Sequence, residues 1–271
     1  MFKWPLPTQH PLAGPLPARR LQTVRVTDSF YDDPQVFAAY ARHRHGGVSS
    51  PNQTMEEPAL WQHLGSIAGQ RVADLGCGDA SIAPALLDAG CSSYYGVDAS
   101  ASMVAAARHT VRGRDATIDH AEIQDFSRPA GSLDLIISRL ALHYVADLDP
   151  VLRACRECLA PGGRLVFTVV HPVITSHDGR EESAAARTSW LVDDYFSRGP
   201  RRRPWLGGTV TWQHRTIEDY VSAVIRAGFA VEALSECSPD RAQFEGAEAE
   251  FTRRSRTPLF LLLSTRTPGP A

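Results

Sequence analysis

A short run of acidic residues and glycines carries the sharpest chemistry in the chain. Asp74-Leu-Gly76-Cys77-Gly78-Asp79 stands where a β run, Arg71-Val-Ala-Asp-Leu75, gives way to a helical pattern. Glycines at such a turn let the backbone bend sharply and bring its N–H groups close to a ligand. Asp98 lies 24 residues beyond Asp74, at the end of a second β run, where a carboxylate can accept both hydroxyls of a ribose. Asp125-Phe126 follows a third run and offers an acceptor and an aromatic face to an adenine. Asp74 itself is placed to hold an ammonium or a sulfonium-bearing ligand. A dinucleotide fits less well, because Ser81 stands where its third small residue is needed and Asp74 repels a pyrophosphate. These residues point to an adenosine ligand that carries positive charge and no phosphate.

Strands and helices must alternate to present such groups. Strands are expected at 71–75, 93–98, 116–123, 133–138 and 164–170, and two more at 229–234 and 259–265. Helices are expected at 34–46, 53–68, 79–89, 100–112, 140–146, 149–159 and 217–227, with Ser100 as an N-cap. The alternation is the signature of a doubly wound, mainly parallel α/β sheet. Residues 1–26, rich in Pro and Arg, read as a mobile arm. Residues 27–69 read as an N-terminal helical cap and 70–271 as the core. The stretch 171–215 breaks the rhythm after the fifth strand. It is either a lid or a variable surface excursion, and Trp190, Tyr195, Phe196, Trp205 and Trp212 favour the lid, because such rings are costly to leave in water.

Composition narrows the class. The chain has 271 residues, 43% of them hydrophobic and 21% charged, enough for a core without staples. Lys and Arg number 28 against 30 Asp and Glu, a balance that argues against a nucleic-acid partner. No apolar run reaches bilayer length and no signal core opens the sequence, so a cytoplasmic protein without a membrane partner is expected. The five cysteines are expected reduced. Cys155 and Cys158 form a lone C-x-x-C with no second pair for zinc, and no metal is expected.

The order of these motifs resembles one family. Val72-Ala-Asp-Leu-Gly-Cys-Gly-Asp79 resembles the first motif of the class I S-adenosylmethionine-dependent methyltransferases, and Tyr95-Gly-Val-Asp98-Ala-Ser-Ala-Ser-Met103 their second. Asp125-Phe126, Leu133-Asp-Leu-Ile-Ile-Ser-Arg-Leu-Ala-Leu-His-Tyr144 and Leu159-Ala-Pro-Gly-Gly-Arg-Leu165 are similar to the following strand ends and turn. The resemblance covers residues 71–170 in order. It implies a seven-stranded Rossmann-like sheet with the last strand antiparallel, and S-adenosyl-L-methionine as cofactor. By position it implies that Asp74, Gly76, Cys77 and Gly78 cradle the methionine part and that Asp98 holds the ribose. Ala99 and Met103 would lie beside the adenine, Asp125 and Phe126 would contact it, and Ser138 and Leu140 would line the methionine channel. Tyr40-x-x-x-Arg44 and Pro51-Asn52-x-x-x-Glu56 are similar to the N-terminal part of bacterial small-molecule members, where the Tyr and Arg meet the cofactor carboxylate. The implied reaction is methylation of carbon, nitrogen or oxygen in a small aromatic or heterocyclic metabolite of a natural-product pathway, by in-line displacement. A monomer or homodimer is expected. Two alternatives stand beside it: a cofactor-binding protein without catalysis, and an RNA methyltransferase.

Transfer also needs a proton acceptor, and histidine is the usual one. His171 directly follows the fifth strand, His143 the fourth, and His214 ends the insert; each either acts as base or merely packs. His43 and His45 read as surface or cap residues. Tyr31, Tyr40 and Tyr195 either orient the substrate or the donor methyl, or pack. Arg201-Arg-Arg203 either binds an acidic substrate group or is a solvated turn.

Overall fold

The computed structural model describes residues 29–44, 50–177 and 190–269. The arm expected at 1–26, His45 and the side chain of His43 lie outside the described features. Nine strands are present among these residues: β1 Arg71–Leu75, β2 Ser93–Asp98, β3 Ala116–His120, β4 Leu133–Arg139, β5 Leu159–Val170, β6 Gly199–Trp205, β7 Gly208–His214, β8 Ala230–Ser235 and β9 Phe260–Arg266. The helices are α1 Pro34–Arg44, α2 Glu57–Leu64, α3 Ala83–Asp88, α4 Ala101–Thr110, α5 Leu148–Cys158, α6 Pro172–Thr175, α7 Ile217–Arg226 and α8 Glu248–Arg254.

Seven strands form one sheet in the order β3-β2-β1-β4-β5-β9-β8. The first five are mutually parallel, while β9 runs antiparallel to both β5 and β8. This is the Rossmann-like arrangement expected, with its one reversed strand. Adjacent strand residues point to opposite faces, so each strand feeds two cores. Ala73, Leu75, Ile136, Leu165 and Phe167 pack with residues of α5 and α7 on one side. Val72, Leu135, Ile137 and Val166 pack with α2, α3 and α4 on the other.

Several boundaries differ from expectation for local reasons. The helix expected from 79 starts at Ala83, because Ala80 has φ 52° and cannot lie in a right-handed turn. Leu140, also at φ 52°, breaks the helix expected at 140–146 and leaves a 3-10 turn at Leu142–Tyr144. The helix expected at 53–68 begins as a π turn, Asn52–Glu56, before α2. The insert contains α6 and an antiparallel hairpin, β6–β7, that sequence reading did not anticipate. The period-2 signal was there: in β7, Val210, Trp212 and His214 are buried, and the residues between them are not.

Candidate active site

The first glycine turn is closed so tightly that only glycine fits it. Gly76 has φ 74°, and a Cβ there would stand 2.3 Å from the Cβ of Ala141. Gly76 N and Cys77 N both donate to Val97 O, which ties the loop to β2. Gly78 N donates to Asp98 Oδ2 at 2.8 Å and Ser100 N to Asp98 Oδ1 at 2.9 Å. Asp98 therefore braces the loop while its remaining lone pairs face a cavity of about 850 Å³. That cavity opens at the carboxyl ends of β1, β2 and β4, where open α/β sheets bind ligands.

One region of the wall is zwitterionic. Asp74 is buried; its Oδ2 accepts from the Tyr94 hydroxyl at 2.8 Å, and its Oδ1, also buried, has no partner among the described residues. Burial pushes its carboxyl up to about 6, against the pull of Tyr94, Arg139 and Arg44. Burial raises the Asp98 carboxyl as well. Arg44, Arg139 and Tyr40 line the same cavity. Burial pushes the Tyr40 hydroxyl up to about 12, so it is a neutral donor at physiological pH. An ammonium beside Asp74 and a carboxylate beside the guanidiniums would each find a counter-charge here. The unpartnered Asp74 oxygen fits a cationic donor.

A second region is aromatic. Phe30, Tyr31, Tyr144, Trp205 and Trp212 line it, with His143 between the rings. The His143 ring lies 4.5 Å from Tyr144 and 5.5 Å, edge-on, from Trp212. Burial, with Arg215 nearby, lowers His143 to about 3, so it is a neutral imidazole. Its buried Nδ1 has no partner among the described residues. The Tyr31 and Tyr144 hydroxyls lie 2.9 Å apart. Next to Tyr31, Asp32 Oδ1 accepts from Ser100 Oγ at 2.7 Å and from Ser102 N at 3.0 Å. The chain at 29–33 is thereby fastened to the first turn of α4, where a carboxylate also favours the helix dipole.

Of the residues singled out in the sequence, Tyr40, Arg44, Asp74, Gly76, Cys77 and Gly78 line the cavity, as do Asp98, Ala99, Met103, Leu140 and His143. Five do not. β3 ends at His120 and a 3-10 turn follows, so Ile123 and Gln124 face the cavity while Asp125 is exposed and Phe126 is buried beside Tyr95. Ser138 lies within the sheet and donates to Leu75 O at 2.7 Å, and it is the next residue, Arg139, that reaches the cavity. Tyr195 is outside, where its hydroxyl accepts from Ile217 N and its ring lies against His214. His214 is also engaged, with Thr175 Oγ1 on Nδ1 and Tyr195 O on Nε2.

His171 is outside as well. The chain turns away from the sheet there, and His171 caps α6: Nδ1 accepts from Val173 N, and Nε2 lies 3.1 Å from Glu236 Oε1. We expect His171→Ala to leave cofactor affinity unchanged and to cost about 1–3 kcal/mol of folding stability, read by thermal and calorimetric titration. A tenfold turnover loss at unchanged stability would return His171 to the chemistry. Arg201 and Arg203 are neither a solvated turn nor an anion site. Arg203 is buried and donates to Ile174 O and His177 O, and Arg201 donates to Ser176 O, so both fasten the hairpin to the segment after β5.

Known proteins share this arrangement. A family model described as "Methyltransferase domain" matches residues 73–167. A crystal structure of an S-adenosylmethionine-dependent methyltransferase from Mesorhizobium loti superposes with a TM-score of 0.71 at 36% identity, over 78% of this chain and 97% of that one. An uncharacterized protein of Haemophilus influenzae is 26% identical over 250 residues, 88% of this chain and 96% of its own length. Partial matches include a ubiquinone biosynthesis O-methyltransferase of Ralstonia nicotianae and a tRNA U34 carboxymethyltransferase of Methylococcus capsulatus; the chain spans about half the length of each, 47% and 51%. The chain belongs to the class I S-adenosylmethionine-dependent methyltransferases, and S-adenosylmethionine is its cofactor. Among the described residues, no helix is long and apolar enough to cross a membrane, and no cluster of His, Cys, Asp or Glu could hold a metal.

Proposed function

We propose that this enzyme methylates a small, flat aromatic or heterocyclic metabolite held in the aromatic region of the cavity. The observation that carries the reading is the group of five rings, Phe30, Tyr31, Tyr144, Trp205 and Trp212, around a neutral histidine. Flat apolar acceptors stack on such rings, and the burial of both partners favours binding. The resemblance to bacterial natural-product enzymes supports a place in secondary metabolism. The hairpin β6–β7 and the residues around Tyr31 serve as the cover of the cavity, shielding it from water.

S-adenosylmethionine supplies a methyl group already activated on a sulfonium. The protein's task is therefore to align an acceptor with it and to exclude water, and alignment of this kind can be worth up to ~7–11 kcal/mol. In this reading Asp74 Oδ1 takes the ammonium of the cofactor, and Tyr40, Arg44 and Arg139 take its carboxylate. Asp98 takes the ribose hydroxyls, and Ala99, Met103, Ile123 and Gln124 flank the base. His143, neutral across the physiological range, orients the acceptor by hydrogen bonding.

His143→Phe is expected to lower turnover by at least ~10-fold, the usual contribution of one positioned polar group, with unchanged S-adenosylhomocysteine affinity. The wild-type rate should show no histidine limb between pH 6 and 8, since His143 titrates near 3. The test is a turnover screen of aromatic and heterocyclic acceptors at two salt concentrations. The match to the tRNA-modifying enzyme supports a second reading, in which RNA is the acceptor. Turnover on transfer RNA with steep salt dependence, and none on the small acceptors, would overturn the first reading in its favour.

A further inference from the structure

We propose that Glu56 is a positioning residue that acts through Arg139 and Arg44, fixing the cationic wall that receives the carboxylate of the cofactor's amino-acid tail. The inference rests on the assignment of that tail to the zwitterionic region. Glu56 does not line the cavity, whereas both arginines do. It is fully buried, and the contacts of its carboxylate each orient a neighbour. Arg139 donates through Nε to Oε1 at 3.1 Å and through Nη2 to Oε2 at 2.6 Å, a two-pronged grip that fixes the guanidinium plane. Thr168 Oγ1 donates to Oε1 at 2.9 Å and anchors the carboxylate to β5. Arg44 Nη1 stands 3.9 Å from Oε2, close enough for attraction and too far for a hydrogen bond. Arg44 thus keeps donors for a ligand, while Glu56 holds its charge in place.

The local fold exists to deliver this residue. Glu56 ends the π turn Asn52–Glu56, whose wider turn carries Asn52, Thr54, Met55 and Glu56 all to buried positions. A fully buried carboxylate is expensive to desolvate and adds little stability over an apolar residue, so a role in orientation accounts for it better than one in folding. Glu57 shows what the alternative looks like. It also accepts from Arg139 Nη2, at 3.0 Å, but its side chain is 39% exposed. Without Glu56, Arg139 would be drawn toward that outer carboxylate and away from the cavity.

Two effects compete when Glu56 is neutralised. The guanidiniums lose their fixed placement, which weakens carboxylate binding, and the wall becomes more positive, which strengthens it. The sign of the change separates a positioning role from simple neutralisation. The measurement is titration calorimetry with two ligands: S-adenosylhomocysteine, and 5′-methylthioadenosine, which has the same nucleoside but no amino-acid tail. The expected result for Glu56→Gln is a loss of at least ~10-fold for the first ligand and less than ~3-fold for the second. Thr168→Val removes the neutral donor to Glu56; Leu140 N, which also donates to Thr168 Oγ1, keeps its 2.9 Å bond to Thr168 O, so the variant should give the same selectivity on a smaller scale, ~3-fold against none. Unchanged or tighter S-adenosylhomocysteine binding in Glu56→Gln overturns the proposal, as does an equal loss for both ligands. Should Glu56→Gln fail to fold, absence of a tail-selective loss in Thr168→Val overturns it. A wild-type protein that binds the two ligands equally well overturns the underlying tail assignment, and the proposal with it.

Discussion

Asp74→Asn is expected to make the ligand-free protein more stable and to weaken S-adenosylhomocysteine binding by roughly a hundredfold, about 2.7 kcal/mol. Both effects have one cause. The Asp74 carboxyl is buried, one of its oxygens lacks a partner among the described residues, and burial pushes its pKa up to about 6 from an ordinary 3.8. In the unfolded chain the group ionises near 3.8, and in the folded one only near 6. The folded state therefore binds the extra proton between these values, and stability falls as pH rises from about 4 to 6, then stays level. At neutral pH the buried charge costs on the order of 3 kcal/mol. Asparagine removes that cost and can still accept from Tyr94. It also turns an amide N–H₂ toward the cavity, where an ammonium needs an acceptor. Calorimetry should show a second sign of the same carboxyl: wild-type affinity drops below pH 6, by up to ~10-fold per pH unit, and the asparagine variant lacks this limb. A variant that binds as tightly as wild type would remove Asp74 from the site.

Asp98→Ala is expected to weaken cofactor binding by ~10- to 100-fold, as the acceptor for two hydroxyls is lost. The brace on the glycine loop is lost with it. Gly78 N and Ser100 N give up their carboxylate partners, so the loop that frames the cavity loosens too. Asp125→Ala provides the contrast. Asp125 is exposed and lies off the cavity, and its removal should change affinity by less than ~2-fold, the usual range for an exposed site. Equal losses in the two variants would mean that the base and ribose lie elsewhere.

The acidic, glycine-rich part of the cavity wall was legible because its residues are local in sequence. Asp74, Gly76 and Gly78 fall within five residues, and the strand that ends at Asp98 announces itself by its apolar run. Errors arose where one residue of phase decides which way a side chain points. Ser138 was expected in the channel, yet along a strand the next residue takes the opposite face, and Arg139 has that place. Asp125 and Phe126 are expected at the base if β3 runs to residue 123, but it ends at His120. His171 stands at the expected end of β5, but the chain bends there into α6 and carries the ring away.

The remaining contacts are non-local. Tyr31 meets Tyr144 across 113 positions, and Glu56 meets Arg139 across 83. No spacing rule reaches that far. Glu56 could be noticed as part of the Pro51-Asn52 motif, but its partner could not. The hairpin β6–β7 was visible in the alternation of β7, and was obscured by the prolines and arginines of β6.

The reversed strand has a consequence for biogenesis. β9 slots between β5 and β8, and its Leu261, Leu262 and Leu263 are completely buried there. On the ribosome β5 emerges some 90 residues ahead of this neighbour, a delay of roughly 5–20 s at ordinary elongation rates. Through that interval the nascent sheet carries an open, apolar flank at Val166–Val170, the kind of surface that chaperones bind and aggregates grow from. The cavity is not complete before the sheet is, because Leu259 and Phe260, at the start of β9, are part of its wall. Closing the sheet and completing the cavity are therefore one late event, and the flank stays open until both are done.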